Sequence, residues 1–316
     1  MESITRREFL KRSLLTVGTL PLLGLNEKLW AMSSSQEKLP VCIFSKHLQF
    51  LDWRSLGEKV TEMGFAGIDL TVRKDGHVEP AAVETDLPKA VDEIKKGGST
   101  CVMLSTTIEN VHNEQDRNVI ESAAKCNIPF YRTNWFKYPA DKSQPEALEM
   151  YASNLKEMSE LNRKLGIVGC YQNHAGTLVG ASLWEVYKML EKVDKDYFGV
   201  QYDIRHAMVE GANSWINGFE LIRSQIKTIV LKDYKWGQVN GKWKVVNTPI
   251  GEGMVDFKNY FKLLKKYHIN VPISMHCEYD LGGAEKGNRK ISVYPQVVFD
   301  AMTKDLRTIQ QLWEEA

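Results

Sequence analysis

From residue 40 onward the chain repeats one unit: a short apolar or β-branched run, a polar loop, then a stretch of helical period. Eight runs can be marked, at Pro40–Phe44, Gly67–Thr71, Thr100–Ser105, Phe130–Thr133, Ile167–Gln172, Gly199–Asp203, Thr228–Lys232 and Ile273–Glu278. Helical patterns such as Trp53–Met63, Ala147–Leu165, Leu183–Val193, Phe257–Tyr267 and Val297–Trp313 accompany them. Near-continuous apolar runs belong to strands covered on both faces, the usual condition of a parallel sheet. Eight βα units in about 280 residues predict an α/β fold of the (β/α)8 TIM-barrel type. No GxGxxG follows the first run, which argues against an open dinucleotide-binding sheet. No linker or low-complexity tract divides the chain, so a single barrel domain is expected over residues 36–316.

Ahead of the barrel, Thr5-Arg6-Arg7-Glu8-Phe9-Leu10-Lys11 places paired arginines before an apolar run from Leu14 to Leu25. That run is shorter than the roughly 20 apolar residues needed to span a bilayer. A charged segment before a short apolar one predicts a signal peptide and linker over residues 1–35, and the motif resembles a bacterial twin-arginine export signal. The resemblance implies a periplasmic protein with no stable membrane anchor. The formal charge of +1 becomes −1 once the leader's five basic and three acidic residues are set aside. A near-neutral domain lacks the basic face of a nucleic-acid binder, leaving a small-molecule substrate as the expected partner. The five cysteines, an odd number without CxxC pairing, read as free thiols rather than a disulfide framework.

Barrels place their active sites at the C-terminal ends of their strands. Of seven histidines, His47, His77, His174, His206 and His276 fall at or just beyond such ends. Histidine has no packing reason for this bias, but it binds metals and carries protons near neutral pH. Charged and amide groups share the pattern: Asp69 and Arg73, Arg132 and Asn134, Gln172 and Asn173, Asp203 and Arg205, Lys232 and Asp233, then Glu278. Asp69 and Asp233 also suit simple helix caps. Burying so many ionisable groups at one rim is costly unless they are paired or ligated, which predicts a polar substrate, a metal, or both. The aromatics Trp135, Phe136, Tyr171, Tyr234 and Trp236 are candidates for stacking on sugar rings or for core packing.

Several of these segments resemble the sugar phosphate isomerase/epimerase family of xylose-isomerase-like barrels. Phe65-Ala66-Gly67-Ile68-Asp69-Leu70 is similar to its second-strand signature, Gln172-Asn173-His174 to its fifth-strand "ENH", and Tyr202–Ala207 to its sixth-strand "DxGHA". Leu231-Lys232-Asp233 resembles its "HxKD", Pro249–Phe257 its "GxGxVDF" loop, and Glu278 its last-strand glutamate. The resemblance implies a divalent ion (Mn, Mg, Zn or Co) held from strands five to eight, with two carboxylates exchanging protons beside a carbonyl. Asp203 and Glu278 match two of the ligands, whereas Gln172 replaces a glutamate and Val230 a histidine. A bound ion, completed by Gln172 or His174, and a metal-free site are both open on this evidence.

The expected activity is isomerisation or epimerisation of a sugar or sugar derivative. A lyase or hydrolase acting on an oxidised (keto) glycoside, or a non-catalytic sugar-binding barrel, are the alternatives. Glu278 is the expected general base, with His206, His174 and Lys232 as further catalytic candidates. Arg73, His77, Arg132, Asn173, Arg205 and Gln172 are expected to contact substrate. The basic rim suits a sugar acid, a keto-sugar or a phosphorylated sugar.

Overall fold

The structure, a computed structural model, describes residues 38–316. The leader expected over residues 1–35 lies outside the described residues. Eight parallel strands close into a barrel: β1 (Val41–Phe44), β2 (Gly67–Val72), β3 (Cys101–Thr106), β4 (Phe130–Arg132), β5 (Val168–Gln172), β6 (Phe198–Asp203), β7 (Ile226–Leu231) and β10 (Ile273–Met275). All eight expected runs are barrel strands, and β10 closes the ring by pairing with both β7 and β1.

Local signals set the surrounding helices. Asp52 opens α1 (Trp53–Met63) by accepting the Ser55 N–H at 2.8 Å, and Asn113 caps α3 (Glu114–Lys125) in the same way. α4 (Gln144–Leu165) begins with a capping box between Ser143 and Glu146. α2 (Val83–Lys96), α5 (Leu183–Met189), α6 (Ile204–Gly211), α7 (Trp215–Ile222), α8 (Phe257–Lys266) and α9 (Pro295–Glu314) complete the outer layer. Their apolar faces pack on the outward side chains of the strands, with Leu56, Val60, Leu87, Ile94, Phe261 and Met302 buried there. Among the described residues no helix is long and apolar enough to cross a membrane.

The inward face of the barrel is polar for much of its height. Strand register puts Thr71, Ser105 and Arg132 on one rung and Asp203, Val230 and Ser274 on another. The five cysteines are free, four of them buried, as expected of thiols that serve as small apolar fillers.

One element was not anticipated. Between β7 and α8 the chain forms an antiparallel hairpin, β8 (Asp233–Val239) with β9 (Lys242–Thr248). Its turn is Asn240-Gly241, with φ of 51° and 73°, the left-handed pair that a tight hairpin turn requires. Asp233 does not cap a helix. Its carboxylate accepts N–H bonds from Tyr234, Gly251, Gly253 and Val255, tying the hairpin base to the following loop. A Cβ on Gly253 would meet Asp233 Oδ1 at 2.2 Å and the Tyr234 carbonyl at 2.3 Å, so the loop admits only glycine there.

Candidate active site

Most of the charged groups expected at the rim converge on the mouth of the barrel, and Lys232 is their hub. It follows β7 directly and is 3 % exposed. Its Nζ lies 3.2 Å from Asp203 Oδ2, 3.4 Å from Glu278 Oε2 and 2.8 Å from His206 Nε2. Gln172 Nε2 donates to the same Asp203 oxygen at 2.8 Å. The other Asp203 oxygen accepts the His206 N–H and thereby caps α6. Asn173 holds the backbone of Asp203 from both sides, donating to its carbonyl and accepting from its N–H.

Lys46, not among the residues expected at the site, is the second cation on Glu278, with Nζ 3.3 Å from Oε1. Burial alone would raise the Glu278 pKa, but the ammonium of Lys232, and then that of Lys46, holds it well below the usual carboxylate range. Burial lowers the pKa of Lys46 in turn, against the pull of Glu278. Asp69, the other candidate helix cap, is instead wholly buried inside the barrel, where it accepts from Ser274 at 2.8 Å. Burial pushes its pKa up.

The histidines here are neutral near pH 7. Burial first, then the charge of Lys232, holds His206 and His276 well below the usual imidazole range and His174 down to about 4. At His206, Arg205 donates to Nδ1 at 2.9 Å while Lys232 approaches Nε2. A neutral imidazole accepts at one nitrogen only, so these two cations compete for a single lone pair. His174 is simpler. Its Nδ1 is 2.9 Å from the Ala175 carbonyl, which fixes the proton on Nδ1 and leaves the Nε2 lone pair free. Its ring lies between those of Trp135 and His206, tilted against both, with centroids at 4.5 and 4.0 Å.

Arg73 and Arg132 lie on the β2–β4 side, over the rings of Phe44 and Trp135 at 5.5 and 4.3 Å. Arg205 stacks over Tyr234 and donates to Asn247 Oδ1 at 2.6 Å, and Asn247 donates to the Glu278 carbonyl, so the hairpin base joins the site. His77 is placed differently. It is pinned to Thr71, whose hydroxyl accepts its backbone N–H at 3.0 Å, and touches none of the residues around Lys232. Phe136 and Tyr171 are core residues, whereas Trp236 is exposed. Asn247 was missed because the hairpin was missed. Its signal is Asn240-Gly241 between alternating runs.

The donor set does not fit the divalent ion that the family resemblance implies. Val230 shares a rung with Asp203 and Ser274 and faces inward, so a valine stands where an imidazole would be needed. Gln172 Oε1 is buried without a partner, yet one amide oxygen is a weak, uncharged ligand. The two remaining carboxylates are already engaged by the Lys232 ammonium. Among the described residues no group of three or more His, Cys, Asp or Glu is arranged to hold a metal.

Fold and site together define a (β/α)8 barrel with an ionised, polar mouth. A sequence profile of the xylose isomerase-like TIM barrel family matches residues 58–291, and the chain belongs to that family. No curated protein sequence matches the chain significantly. Among solved structures it is similar to 3-keto-D-glucoside 4-epimerase from E. coli (13% identity, TM-score 0.63), covering 86% of this chain and 100% of that one. It is also similar to D-psicose 3-epimerase from Clostridium cellulolyticum H10 with D-tagatose (12% identity, TM-score 0.65), covering 87% of this chain and 99% of that one. A third similar structure is a xylose isomerase-like barrel protein from Mycobacterium smegmatis in complex with magnesium (12% identity, TM-score 0.61, 87% and 98% covered).

Proposed function

We propose that this protein is an isomerase or epimerase of a sugar or sugar derivative, moving a proton on the carbon beside a carbonyl, with Lys232 in place of a metal ion. The observation that carries the reading is the Lys232 ammonium, buried and within reach of Asp203, His206 and Glu278 together. Family membership and the similarity to two sugar epimerases support the substrate class.

In this reading the substrate carbonyl oxygen takes a hydrogen bond from Lys232, which stabilises the negative charge that develops as the neighbouring C–H loses its proton. Glu278 is the base. Clamped by two ammonium groups it is a weak one, but an ammonium that turns to the substrate oxygen releases its hold, so binding itself raises the basicity of Glu278. His174, with its free Nε2 and its ring against that of His206, serves as the second proton carrier. Asp203, Gln172 and Asn173 keep Lys232 and His206 in register.

The test is solvent deuterium exchange followed by NMR, with aldoses, ketoses, 3-keto-glycosides, sugar acids and sugar phosphates, with and without chelator. Exchange at the carbon beside the carbonyl, unchanged by chelator, is expected. No exchange with any of these compounds would overturn the assignment, and exchange abolished by chelator would overturn the role of Lys232. Release of an aglycone in the same spectra would identify an elimination that starts from the same proton abstraction. The paired arginines Arg6-Arg7, which resemble a twin-arginine signal, support export to the periplasm as part of this proposal. Changing both to lysine should retain the protein, leader intact, in the cytoplasm.

A further inference from the structure

We infer that Arg73 and Arg132 form an oxyanion clamp across the barrel mouth from Lys232, so that the substrate is an anionic sugar derivative carrying a carboxylate or a phosphate remote from its reacting carbonyl. The inference deepens the proposed function and rests on it for the word sugar, but the clamp itself stands on geometry.

Arg132 is 2 % exposed and inward-facing, on the rung of Thr71 and Ser105. Its Nη1 donates to the Thr133 carbonyl, and its Nε has no partner. Arg73 lies two residues beyond Thr71 on the same side of β2, partly open to solvent. Among the described residues neither guanidinium has a carboxylate within 4.0 Å, although a buried arginine ordinarily has one. Asp69 attracts both, but its hydrogen bond goes to Ser274 and its single charge can balance at most one of the two.

The wider inventory agrees. The strand ends at the mouth carry five cations (Lys46, Arg73, Arg132, Arg205 and Lys232) against four carboxylates (Asp69, Asp203, Asp233 and Glu278), of which Asp233 is taken up by four backbone N–H groups, and the histidines are neutral. Asp203 and Glu278 are spoken for by the two lysines. The positive surplus therefore lies with the arginines. Burial, and then the charge of Arg73, pushes Arg132 down to about 10, against the opposing pull of Asp69 and Glu278.

Orientation follows from the rings. One run of contacts leads from Arg132 through Trp135, His174 and His206 to Lys232, and another from Arg73 through Phe44 and His276 to Glu278. The arginines and the Lys232–Glu278 pair thus stand at opposite ends of the same two walls. A substrate anchored by its anion at β2 and β4 presents its carbonyl at β7 and β10. Planar guanidinium forks match either oxyanion geometry, bidentate to a carboxylate or to a phosphate.

The test is calorimetric titration of the whole protein with inorganic phosphate, acetate and D-gluconate, with neutral sorbitol as control, at constant ionic strength. Saturable binding of phosphate, or of acetate and gluconate, is expected, and the stronger arm identifies the group. Arg73→Met should weaken that binding about tenfold or more, the loss of one charge-assisted contact, and Arg73→Met/Arg132→Lys should weaken it further. Arg163→Met, a distant surface change, should have no effect. Arg132→Lys keeps the buried charge, and a cooperative thermal transition for each variant confirms that it is folded. Binding that is no tighter for the anions than for sorbitol, or unchanged when both arginines are altered, would overturn the clamp. Anion binding that follows the arginines while no sugar undergoes exchange would sink the proposed function and leave the clamp standing.

Discussion

Replacing Lys232 with methionine tests the centre of the argument, because it keeps the length of the side chain and removes only the ammonium. Two carboxylate oxygens at 3.2 and 3.4 Å lose their cation. At an effective dielectric of about 20 each contact is worth roughly 5 kcal/mol of gross Coulomb attraction. Much of that is offset by the desolvation the ammonium no longer suffers. What remains is the cost of leaving Asp203, which is wholly buried, without a counter-charge. Removing one partner of such a pair typically destabilises by about 3–5 kcal/mol. For a domain of this size that lowers the melting temperature by about 10 °C. Thermal unfolding measures it, and Asp203→Asn in the same chain should restore much of the loss, since the orphaned charge is then gone. Turnover should fall about 10²–10³-fold, and the Asn substitution should not recover it, because the electrostatic support for the enediolate is still missing. A Lys232→Met protein that melts at the wild-type temperature would refute the pairing. One that keeps full turnover would refute the mechanism.

Three further outcomes follow from the geometry. Glu278→Gln should reduce turnover by about 10²–10⁴ while binding substrate nearly as well, as measured by turnover and calorimetry; full activity would move the base to His174. Acid should destabilise the fold between pH 6.5 and 4. Burial, then Arg289, lowers His77 from 6.5 to about 4, so the unfolded chain takes up a proton that the folded one refuses, and stability falls as pH drops through that window. This histidine alone accounts for about 3 kcal/mol, and urea titrations of His77→Gln at both ends of the window should show a correspondingly shallower decline. Gly253→Ala should cost about 1–3 kcal/mol and reduce turnover, because a Cβ there displaces Asp233 and with it the hairpin that positions Asn247; unchanged melting would show that the loop can rearrange freely.

The barrel was legible because its signals are local and repeated. Each strand is a compact apolar run, and the helix starts at Asp52, Asn113 and Ser143 carry their capping residues in the sequence. The candidate site was legible as a list of strand-end residues but not as a network. That Lys232 joins Asp203, His206 and Glu278 depends on barrel register, which brings residues from three strands together across 75 positions of chain. Lys46 follows a strand in an ordinary Ser-Lys-His stretch, and nothing local marks it as the partner of a glutamate at the other end of the chain. Asp69 and Asp233 looked alike, as carboxylates beside a strand end, and only the fold separates an interior acid bonded to a serine from the anchor of a loop.

The hairpin carries a further consequence. Its base is locked: Asp233 binds four backbone N–H groups, and Asn247 is shared between Arg205 and the Glu278 carbonyl. Its outer half is free of such ties, with Trp236, Val239 and Trp243 all exposed. Tyr234, Trp236 and Gln238 share one face with Asn247, Val245 and Trp243. Changes near the turn therefore leave Asp233 and Asn247 and their partners in place while altering the exposed apolar surface of the hairpin. Under the proposed function, a directed-evolution library confined to Trp236–Trp243 would vary this exposed apolar surface without touching Lys232, Asp203 or Glu278.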